Sequence, residues 1–288
     1  MPAVESGTSL TARVRAYLEL SRPVNAVAAG ALTGIGAFVA GATTADAPPA
    51  AAALSATVLA TATGNAINDY FDRDVDAINR PDRPIPRGAV SPRGALGASV
   101  ALFALAVALA LLLPPLAIAI AVVNLLALVS YTEVFKGTPG AGNALVAYLG
   151  GSTFLFGGAA VGGDLGAAAV LFALAALATF TREVVKDVED AEGDAAEGLL
   201  TLPLAIGDRR ALLVAAGLLV VAVLASPLPY VWGIFGLPYL ALLLPADLLM
   251  LYAAHESFDD SAAGQRHVKY GMFLAAAAFV VGRLAVGA

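Results

Sequence analysis

Blocks of about twenty apolar residues recur along this chain, and a helix of that length crosses the ~30 Å hydrocarbon layer of a bilayer. Apolar residues make up 59% of the 288 positions and charged residues 13%, whereas soluble domains average about 45–50% and about 25%. A globule of this length still exposes about a quarter of the surface of its unfolded chain. The apolar excess therefore does not fit inside one water-soluble core. We expect an all-α, polytopic membrane protein.

Nine membrane-spanning helices are predicted from the apolar blocks, packed as a bundle in a single domain that covers residues 1–288. Pro114 and Pro115 separate the third helix from the fourth, because proline cannot continue a helical hydrogen-bond ladder. Pro227 and Pro229 separate the seventh from the eighth in the same way. The nine predicted segments are 20–41, 48–70, 92–113, 115–131, 142–161, 165–185, 209–226, 231–252 and 268–286.

The basic residues predict the orientation of these helices. Of the 16 Lys and Arg residues, all but Arg283 fall on the side of the N-terminal segment. The positive-inside rule assigns that side to the cytoplasm. We therefore expect a cell-membrane protein whose N-terminus and polar loops are cytoplasmic and whose C-terminus lies outside.

Several functions are excluded or disfavoured by composition. The chain has no Cys, which excludes disulfides, thiolate catalysis and Cys-ligated metals. Its two histidines, His255 and His267, have no second ligand cluster, which argues against a zinc site. A net charge of −6 argues against a nucleic-acid partner, no nucleotide-binding glycine motif occurs, and no feature indicates an obligatory protein partner.

Asn68, Asp72 and Asp76 follow the second predicted helix, within NDYFDRDVDAINRPDRPIPRG. Their spacing of i, i+4 and i+8 places the three side chains along one stripe of a helix. Asp69 and Asp74 fall on other faces, so we leave them out of the candidate site.

A second acidic run, Asp187, Asp190 and Asp194, follows the sixth predicted helix at i, i+3 and i+7. Like charges at this spacing destabilise a helix by a few tenths of a kcal/mol per pair, so both runs favour a bound cation. Carboxylate and amide oxygens without His or Cys suit Mg²⁺, which substrate phosphates often help to coordinate. A merely solvated acidic loop is the alternative, and two such runs at cytoplasmic helix ends argue against it.

The motifs N-x3-D-x3-D and D-x2-D-x3-D, in a chain with nine predicted spans, resemble the paired aspartate-rich motifs of the UbiA superfamily of intramembrane prenyltransferases. The resemblance covers essentially the whole chain. It implies Mg²⁺-dependent transfer of an isoprenyl group from its diphosphate to an acceptor, inside a bundle whose active-site cavity opens to lipid. It also implies Mg²⁺ coordination by Asn68, Asp72, Asp76, Asp187, Asp190 and Asp194.

Four segments are similar to the archaeal digeranylgeranylglyceryl phosphate synthases of that superfamily: RPVN at 22–25, DRPIPRG at 82–88, YTEVFK at 131–136 and TREVVKDVEDAEGD at 181–194. The similarity implies geranylgeranyl diphosphate as the donor. The acceptor would be the free hydroxyl of geranylgeranylglyceryl phosphate, a lipid phosphate of ether-lipid biosynthesis. An aromatic acceptor, as in the quinone-pathway members, is the alternative.

The chemistry that the resemblance implies is neutralisation of the leaving diphosphate by Mg²⁺ and basic side chains. Lys136 and Arg22 are candidate diphosphate contacts, with a snorkelling lysine and a positive-inside anchor as the plainer alternatives. Arg83 is a candidate phosphate contact, with a plain surface arginine as the alternative. Tyr131 is a candidate hydrogen-bond donor to the diphosphate, with a tyrosine of the interfacial aromatic belt as the alternative. We assign catalysis to Asp72, Asp76, Asp190 and Asp194, and substrate binding to Arg22, Asn25, Arg83, Tyr131 and Lys136. No residue stands out as the general base, for which Asp76 and a metal-bound water are candidates.

Two functions of other classes compete with this hypothesis. A cation-coupled transporter would be expected to bind its ion near the bilayer midplane, whereas these carboxylates lie at the cytoplasmic helix ends. A transferase that uses CDP-lipids also needs acidic metal sites, but its Gly-containing acidic motif with an adjacent Ala-Arg is not found here. Release of diphosphate rather than CMP would distinguish the two transferases.

Overall fold

The computed structural model describes residues 10–286, and this part of the chain is helical without any β-strand. A 3-10 turn at Thr44–Asp46 precedes the third helix, and a π-helical turn at Tyr131–Phe135 follows the sixth. The helices are α1 (Leu10–Ser21), α2 (Pro23–Val39), α3 (Ala47–Phe71), α4 (Arg73–Asn79), α5 (Pro92–Ala110), α6 (Pro115–Ser130), α7 (Ala141–Ala160), α8 (Leu165–Glu189), α9 (Ala191–Ala196), α10 (Leu202–Ile206), α11 (Asp208–Ala225), α12 (Leu228–Val231), α13 (Pro238–Glu256) and α14 (Ser261–Leu284).

Six helical segments in the described part of the chain are long and apolar enough to cross a membrane. They are Thr44–Phe71, Pro92–Ala110, Pro115–Phe135, Leu165–Glu189, Asp208–Val231 and Pro238–Glu256. The predicted class, an all-α integral membrane protein, is confirmed at this level. A helix overlaps each of the nine predicted segments, but α2, α7 and α14 are not among these six. The count of nine crossings therefore stays a prediction.

Two compact units are distinguished along the chain. One includes the described residues up to Ala31 together with Ala51–Leu113, and the other includes Leu32–Ala50 together with the described residues from Pro114 onward. The core of the first consists of Ala16, Leu20, Ala66, Ile85, Val90 and Ala95. The larger core of the second includes Phe154, Leu171, Phe235, Tyr239 and Phe279.

Small residues let the helices of the second unit approach closely. A Cβ on Gly157 of α7 would overlap the carbonyl oxygen of Thr33 and stand 2.8 Å from the backbone nitrogen of Ala37, both on α2. Helices in lipid associate through such van der Waals contacts, because the lipid tails are as apolar as the side chains. Other large apolar side chains of this unit lie on the outside, where Leu224 is 75% exposed.

The predicted start of the first helix, residue 20, is wrong, because the helical structure is interrupted at Arg22. This residue has a φ of 46°, in the left-handed region that is unfavourable for a residue with a side chain. The break ends α1 at Ser21, whose carbonyl oxygen accepts a hydrogen bond from Asn65 Nδ2 at 3.0 Å. Residues 20–22 therefore belong to a separate helix and its turn, and α2 begins at Pro23.

The eighth predicted helix, 231–252, is displaced along the chain. Gly233 has a φ of 73°, and Pro238 takes the first position of α13, where proline is favoured. The helix therefore starts at 238 and ends at 256. Asp247 lies near the middle of α13, and its buried carboxylate accepts a hydrogen bond from Ser226 Oγ at 2.7 Å.

Candidate active site

The first acidic motif continues a helical hydrogen-bond pattern across the joint between α3 and α4. The amide of Asp72 donates to the carbonyl of Asn68 at 2.8 Å, and the amide of Asp76 donates to that of Asp72 at the same distance. The i, i+4, i+8 spacing thus places the three residues on successive turns. Asn68 is exposed, Asp72 is half-buried and Asp76 is buried.

Arginines bind the carboxylates of this region. Arg83 donates from the same nitrogen to Asp76 and, at 3.1 Å, to Asp69. Arg22 donates to the same oxygen of Asp69 at 2.6 Å. The structure therefore brings together Arg22, Arg83 and Asp76, three of the predicted site residues, around a fourth residue that the sequence argument left out.

Asp69 is that fourth residue, and its side chain is only 5% exposed. The prediction that Asp69 lies on a face apart from the motif is wrong, because it precedes Asp76 by two helical turns and both carboxylates accept hydrogen bonds from the same nitrogen of Arg83. The aspartate spacing does carry this signal, since Asp69, Asp72 and Asp76 stand at i, i+3 and i+7 like the three aspartates of the second motif. The arginine partners are not evident from spacing, because they are 47 and 14 residues away in sequence. Asn25 lies on the first turn of α2 and is exposed.

The segment that carries Arg83 is fixed by its own packing. Ile85 and Val90 are buried in the core of the first unit, and the amide of Val90 donates to the carbonyl of Pro84 at 3.0 Å. Arg87 donates to Glu19 on α1, and the guanidinium holds the pKa of that carboxyl below its usual range. These contacts limit the motion of the loop and so help to position Arg83.

The second acidic motif lies at the joint between α8 and α9. Asp187 accepts a hydrogen bond from Nδ2 of Asn143 on α7 at 2.7 Å, and Asp190 accepts one from Lys186 at 2.6 Å. The amide of Asp194 donates to the carbonyl of Asp190 at 3.0 Å. Burial and the negative charge of Asp190 raise the pKa of Asp194. Asn143 and Lys186 were not predicted as site residues.

The π-helical turn begins at Tyr131 and is followed directly by Lys136. The amide of Lys136 donates to the carbonyl of Tyr131 at 2.7 Å. Tyr131 lies within electrostatic range of Asp187, Asp194 and Lys186. The carbonyl of the next residue, Gly137, accepts a hydrogen bond from the amide of Leu200 at 3.1 Å. The turn that carries Lys136 is therefore tied to the loop that follows the second motif. A π-turn often marks a functional position in a helix.

Among the described residues 10–286, no three Asp, Glu or His side chains gather closely enough to hold one metal ion. The motif oxygens instead accept hydrogen bonds from Arg83, Lys186 and Asn143. Their chemistry still fits a hard divalent cation, since all are carboxylate or amide oxygens. The arrangement offers acidic oxygens for a cation beside guanidinium and ammonium groups for phosphate.

Comparison with known proteins gives one consistent assignment. Residues 28–277 match the model of the UbiA prenyltransferase family. A curated protein from Natronomonas pharaonis, called digeranylgeranylglyceryl phosphate synthase, is 69% identical over 274 residues, which cover 95% of this chain and 99% of that protein.

Solved structures agree with this match. One, from work on a digeranylgeranylglyceryl phosphate synthase in membranes, has a TM-score of 0.78 at 35% identity, covering 94% of this chain and 99% of that one. A UbiA homologue from Archaeoglobus fulgidus, bound to GPP and Mg²⁺, has a TM-score of 0.72 at 22% identity, with 95% and 100% covered, and shares the fold. From the matched length and the identity to the Natronomonas protein, this chain belongs to the UbiA prenyltransferase family.

Proposed function

We propose that this chain transfers a geranylgeranyl group from geranylgeranyl diphosphate to the free hydroxyl of geranylgeranylglyceryl phosphate, with Mg²⁺ as cofactor. The observation that carries the proposal is the 69% identity, along almost the whole length, to the Natronomonas protein called digeranylgeranylglyceryl phosphate synthase. The product would be a glycerol phosphate with two isoprenyl chains, the lipid after which the Natronomonas protein is named.

The metal would be held by Asn68, Asp72 and Asp76 in the first motif and by Asp187, Asp190 and Asp194 in the second. The donor set supports this assignment, because it consists of hard oxygens without imidazole or thiolate. Arg83 and Lys186 already bond Asp76 and Asp190, so an ion would compete with these cations for the same oxygens. When bound, Mg²⁺ neutralises negative charge on the diphosphate leaving group.

The basic residues of the chain bind the two anionic substrates in this proposal. Arg22 is 43% exposed although it donates to Asp69, and a guanidinium has five N–H donors. It therefore has donors left for a phosphate. Lys136 is exposed at the end of the π-turn. A lipid phosphate adds a second anion to the donor diphosphate, and buried anions need such partners. Arg22, Asn25, Arg83, Tyr131 and Lys136 form the proposed substrate-binding set.

The reaction breaks the bond between C1 of the geranylgeranyl group and the diphosphate oxygen, which keeps the electron pair. The acceptor hydroxyl oxygen forms the new bond to C1, and its proton passes to a general base, for which the carboxylate of Asp76 is the candidate. Apolar helices around the reacting carbon keep water from capturing it. Asp72, Asp76, Asp190 and Asp194 are the proposed catalytic carboxylates.

We also propose nine membrane crossings in one prenyltransferase domain, enclosing a cavity open to lipid. The N-terminus and both motifs would face the cytoplasm and the C-terminus the outside. The distribution of the 16 Lys and Arg residues supports this orientation, and the family match over residues 28–277 supports a single domain.

Product analysis tests the function. Purified protein in nanodiscs receives labelled geranylgeranyl diphosphate, geranylgeranylglyceryl phosphate and Mg²⁺, and the lipids are separated by thin-layer chromatography. We expect a labelled glycerol phosphate with two ether chains and equimolar diphosphate. Recovery of the donor unchanged, or as free alcohol alone, would argue against the proposal.

A further inference from the structure

One face of α1 is occupied by the protein itself. Ala16 and Leu20 are 2% and 1% exposed and pack in the core of the first unit. On the same side, Glu19 is bonded by Arg87 from the loop after α4. The helix is therefore held against the protein along this face and does not project as a free arm.

The opposite face of α1 carries an apolar stripe. Leu10, Val14 and Leu18 follow one another at i, i+4 and i+8, which places them in a row. They are 78%, 50% and 54% exposed. Arg13 and Arg15 precede and follow Val14, so each lies to one side of the row. An apolar row between cationic side chains is typical of a helix that lies in a membrane interface.

The contacts of α1 place it where membrane-spanning helices end. Its last residue, Ser21, accepts a hydrogen bond from Asn65, and the following Arg22 donates one to Asp69. Asn65 and Asp69 lie near the end of the span that ends at Phe71. The hydroxyl of Tyr17 lies only 2.5 Å from where a Cβ on Gly94 would stand, two residues into the span that opens at Pro92. Because α1 touches the end of one span and the start of another, it lies at the level of the bilayer surface.

We propose that the row Leu10, Val14 and Leu18 is a lipid-docking surface, so that α1 lies flat in the headgroup region of the bilayer with these side chains in the boundary of the acyl chains. The apolar surface continues onto α2, where Val24 is 83% exposed, and this continuity favours lipid over another protein. Arg15 pairs with Glu19 at 3.3 Å but keeps its side chain 83% exposed, so its charge favours anionic headgroups, which attract basic residues near a membrane surface. This inference is independent of the proposed reaction.

Docking in this way would bear on the first motif. Arg22 directly follows α1 and reaches Asp69 from its left-handed backbone conformation. The depth of α1 at the lipid surface therefore helps to determine where the guanidinium of Arg22 is held. Strained backbone of this kind persists where the surrounding structure enforces it.

Site-directed spin labelling tests the proposal, and the absence of native Cys makes single labels straightforward. Val14→Cys and Leu18→Cys are labelled with a nitroxide in nanodiscs of phosphatidylglycerol and of phosphatidylcholine. Collision with O₂, which concentrates in lipid, is compared with collision with a nickel chelate, which stays in water. Asp259→Cys in the exposed turn before α14 is the water control, and Leu224→Cys on α11 is the lipid control.

We expect the ratio of O₂ to nickel accessibility at Val14→Cys and Leu18→Cys to be several-fold higher than at Asp259→Cys and to lie below or near that at Leu224→Cys. The ratio should rise further in phosphatidylglycerol, and Arg15→Gln should reduce that rise. Ratios equal to that of Asp259→Cys would overturn the proposal. Dipolar broadening between labels on two copies in one disc would also overturn it, since the row would then be a protein interface.

Discussion

Asp69 is the residue on which the arrangement of the first motif depends. Two guanidinium groups donate to a single oxygen of its carboxylate, and one of them also bonds Asp76. A nearly buried carboxylate with two cationic partners is costly to remove, because the charges that remain lose their partner. Asp69 therefore fixes the positions of both Arg22 and Arg83 without being a proposed ligand itself.

We predict that Asp69→Asn lowers stability by about 1–3 kcal/mol, because it removes the charge that two arginines share in a largely buried position. Asp74→Asn is the matched control, since the Asp74 side chain is 85% exposed and pairs only with its neighbour Arg73 at 3.4 Å. Surface pairs contribute at most about 1 kcal/mol. The measurement is the thermal midpoint of each variant in nanodiscs, and that of Asp69→Asn should be the lower. Equal midpoints would contradict the role given to Asp69.

Asp190→Ala should reduce transfer by roughly 100-fold or more, the loss typical of removing one group that stabilises developing charge. Its bond to Lys186 joins side chains that are 40% and 45% exposed, so the thermal midpoint should hardly change. The control is Glu189→Ala, an exposed carboxylate one residue away. Initial rates under saturating Mg²⁺ measure both. Activity of Asp190→Ala within tenfold of wild type would remove Asp190 from the site.

The site residues divide into those that spacing can identify and those that only packing reveals. Asn68, Asp72 and Asp76 follow helical periodicity, and the backbone hydrogen bonds place them on successive turns as predicted. Asn143 is found only through its bond to Asp187, 44 residues away. Such pairs depend on which helices lie side by side, and a single sequence does not state this. The metal assignment itself stays a prediction.

Glycine positions show how the elements of the second unit are fitted together. Gly157 faces the backbone of α2, which cannot move aside as a flexible side chain would. Gly217 on α11 has open space where a Cβ would stand. The two glycines therefore have different roles although both lie within apolar helices.

We predict that Gly157→Ala destabilises the protein by about 1–3 kcal/mol, because the added methyl group forces α7 and α2 apart. Gly217→Ala should be neutral or stabilising by up to about 1 kcal/mol, since alanine in a helix loses less conformational freedom on folding than glycine. Thermal midpoints measured under identical lipid conditions test the pair. A midpoint for Gly157→Ala as high as that of Gly217→Ala would show that the close approach is not needed.

Hydropathy predicted the positions of most helices well, but it did not predict where helices are interrupted. The apolar blocks located α3, α7 and α11 to within one residue at each end. The break at Arg22 was missed although Pro23 disfavours helical backbone at the residue before it. The bond from Arg22 to Asp69, far along the chain, is a second cause that the sequence does not show. The start of α13 was misplaced because the stretch around Gly233 is as apolar as a helix, while its positive φ ends regular structure.

At the scale of the whole molecule, two acidic motifs sit in a chain of apolar helices and each has its own cationic partners. Since the oxygens are hard donors, activity should disappear in EDTA and return with Mg²⁺, and Mn²⁺ should substitute for it. Zn²⁺ should restore little, because neither motif offers imidazole or thiolate. Product formation at undiminished rate in excess chelator would contradict the metal assignment for both motifs.

The number of basic residues near the two motifs bears on the identity of the acceptor. An aromatic acid would present one carboxylate, whereas a lipid phosphate presents a more highly charged group beside the donor diphosphate. The chain offers Arg83 bonded to Asp76, Lys186 bonded to Asp190, Arg22 bonded to Asp69, and Lys136 at the end of the π-turn. This supply of cations matches two phosphate-bearing substrates better than one.

A competition assay between two acceptors tests whether the chain prenylates a lipid phosphate. Nanodiscs with the purified protein and Mg²⁺ receive labelled geranylgeranyl diphosphate, together with equal amounts of geranylgeranylglyceryl phosphate and 4-hydroxybenzoate. We expect the label to appear in a glycerol phosphate with two isoprenyl chains, and we expect the Asp190→Ala variant to form almost none of this product. A prenylated aromatic acid as the main product would contradict the proposed acceptor and leave only the family assignment.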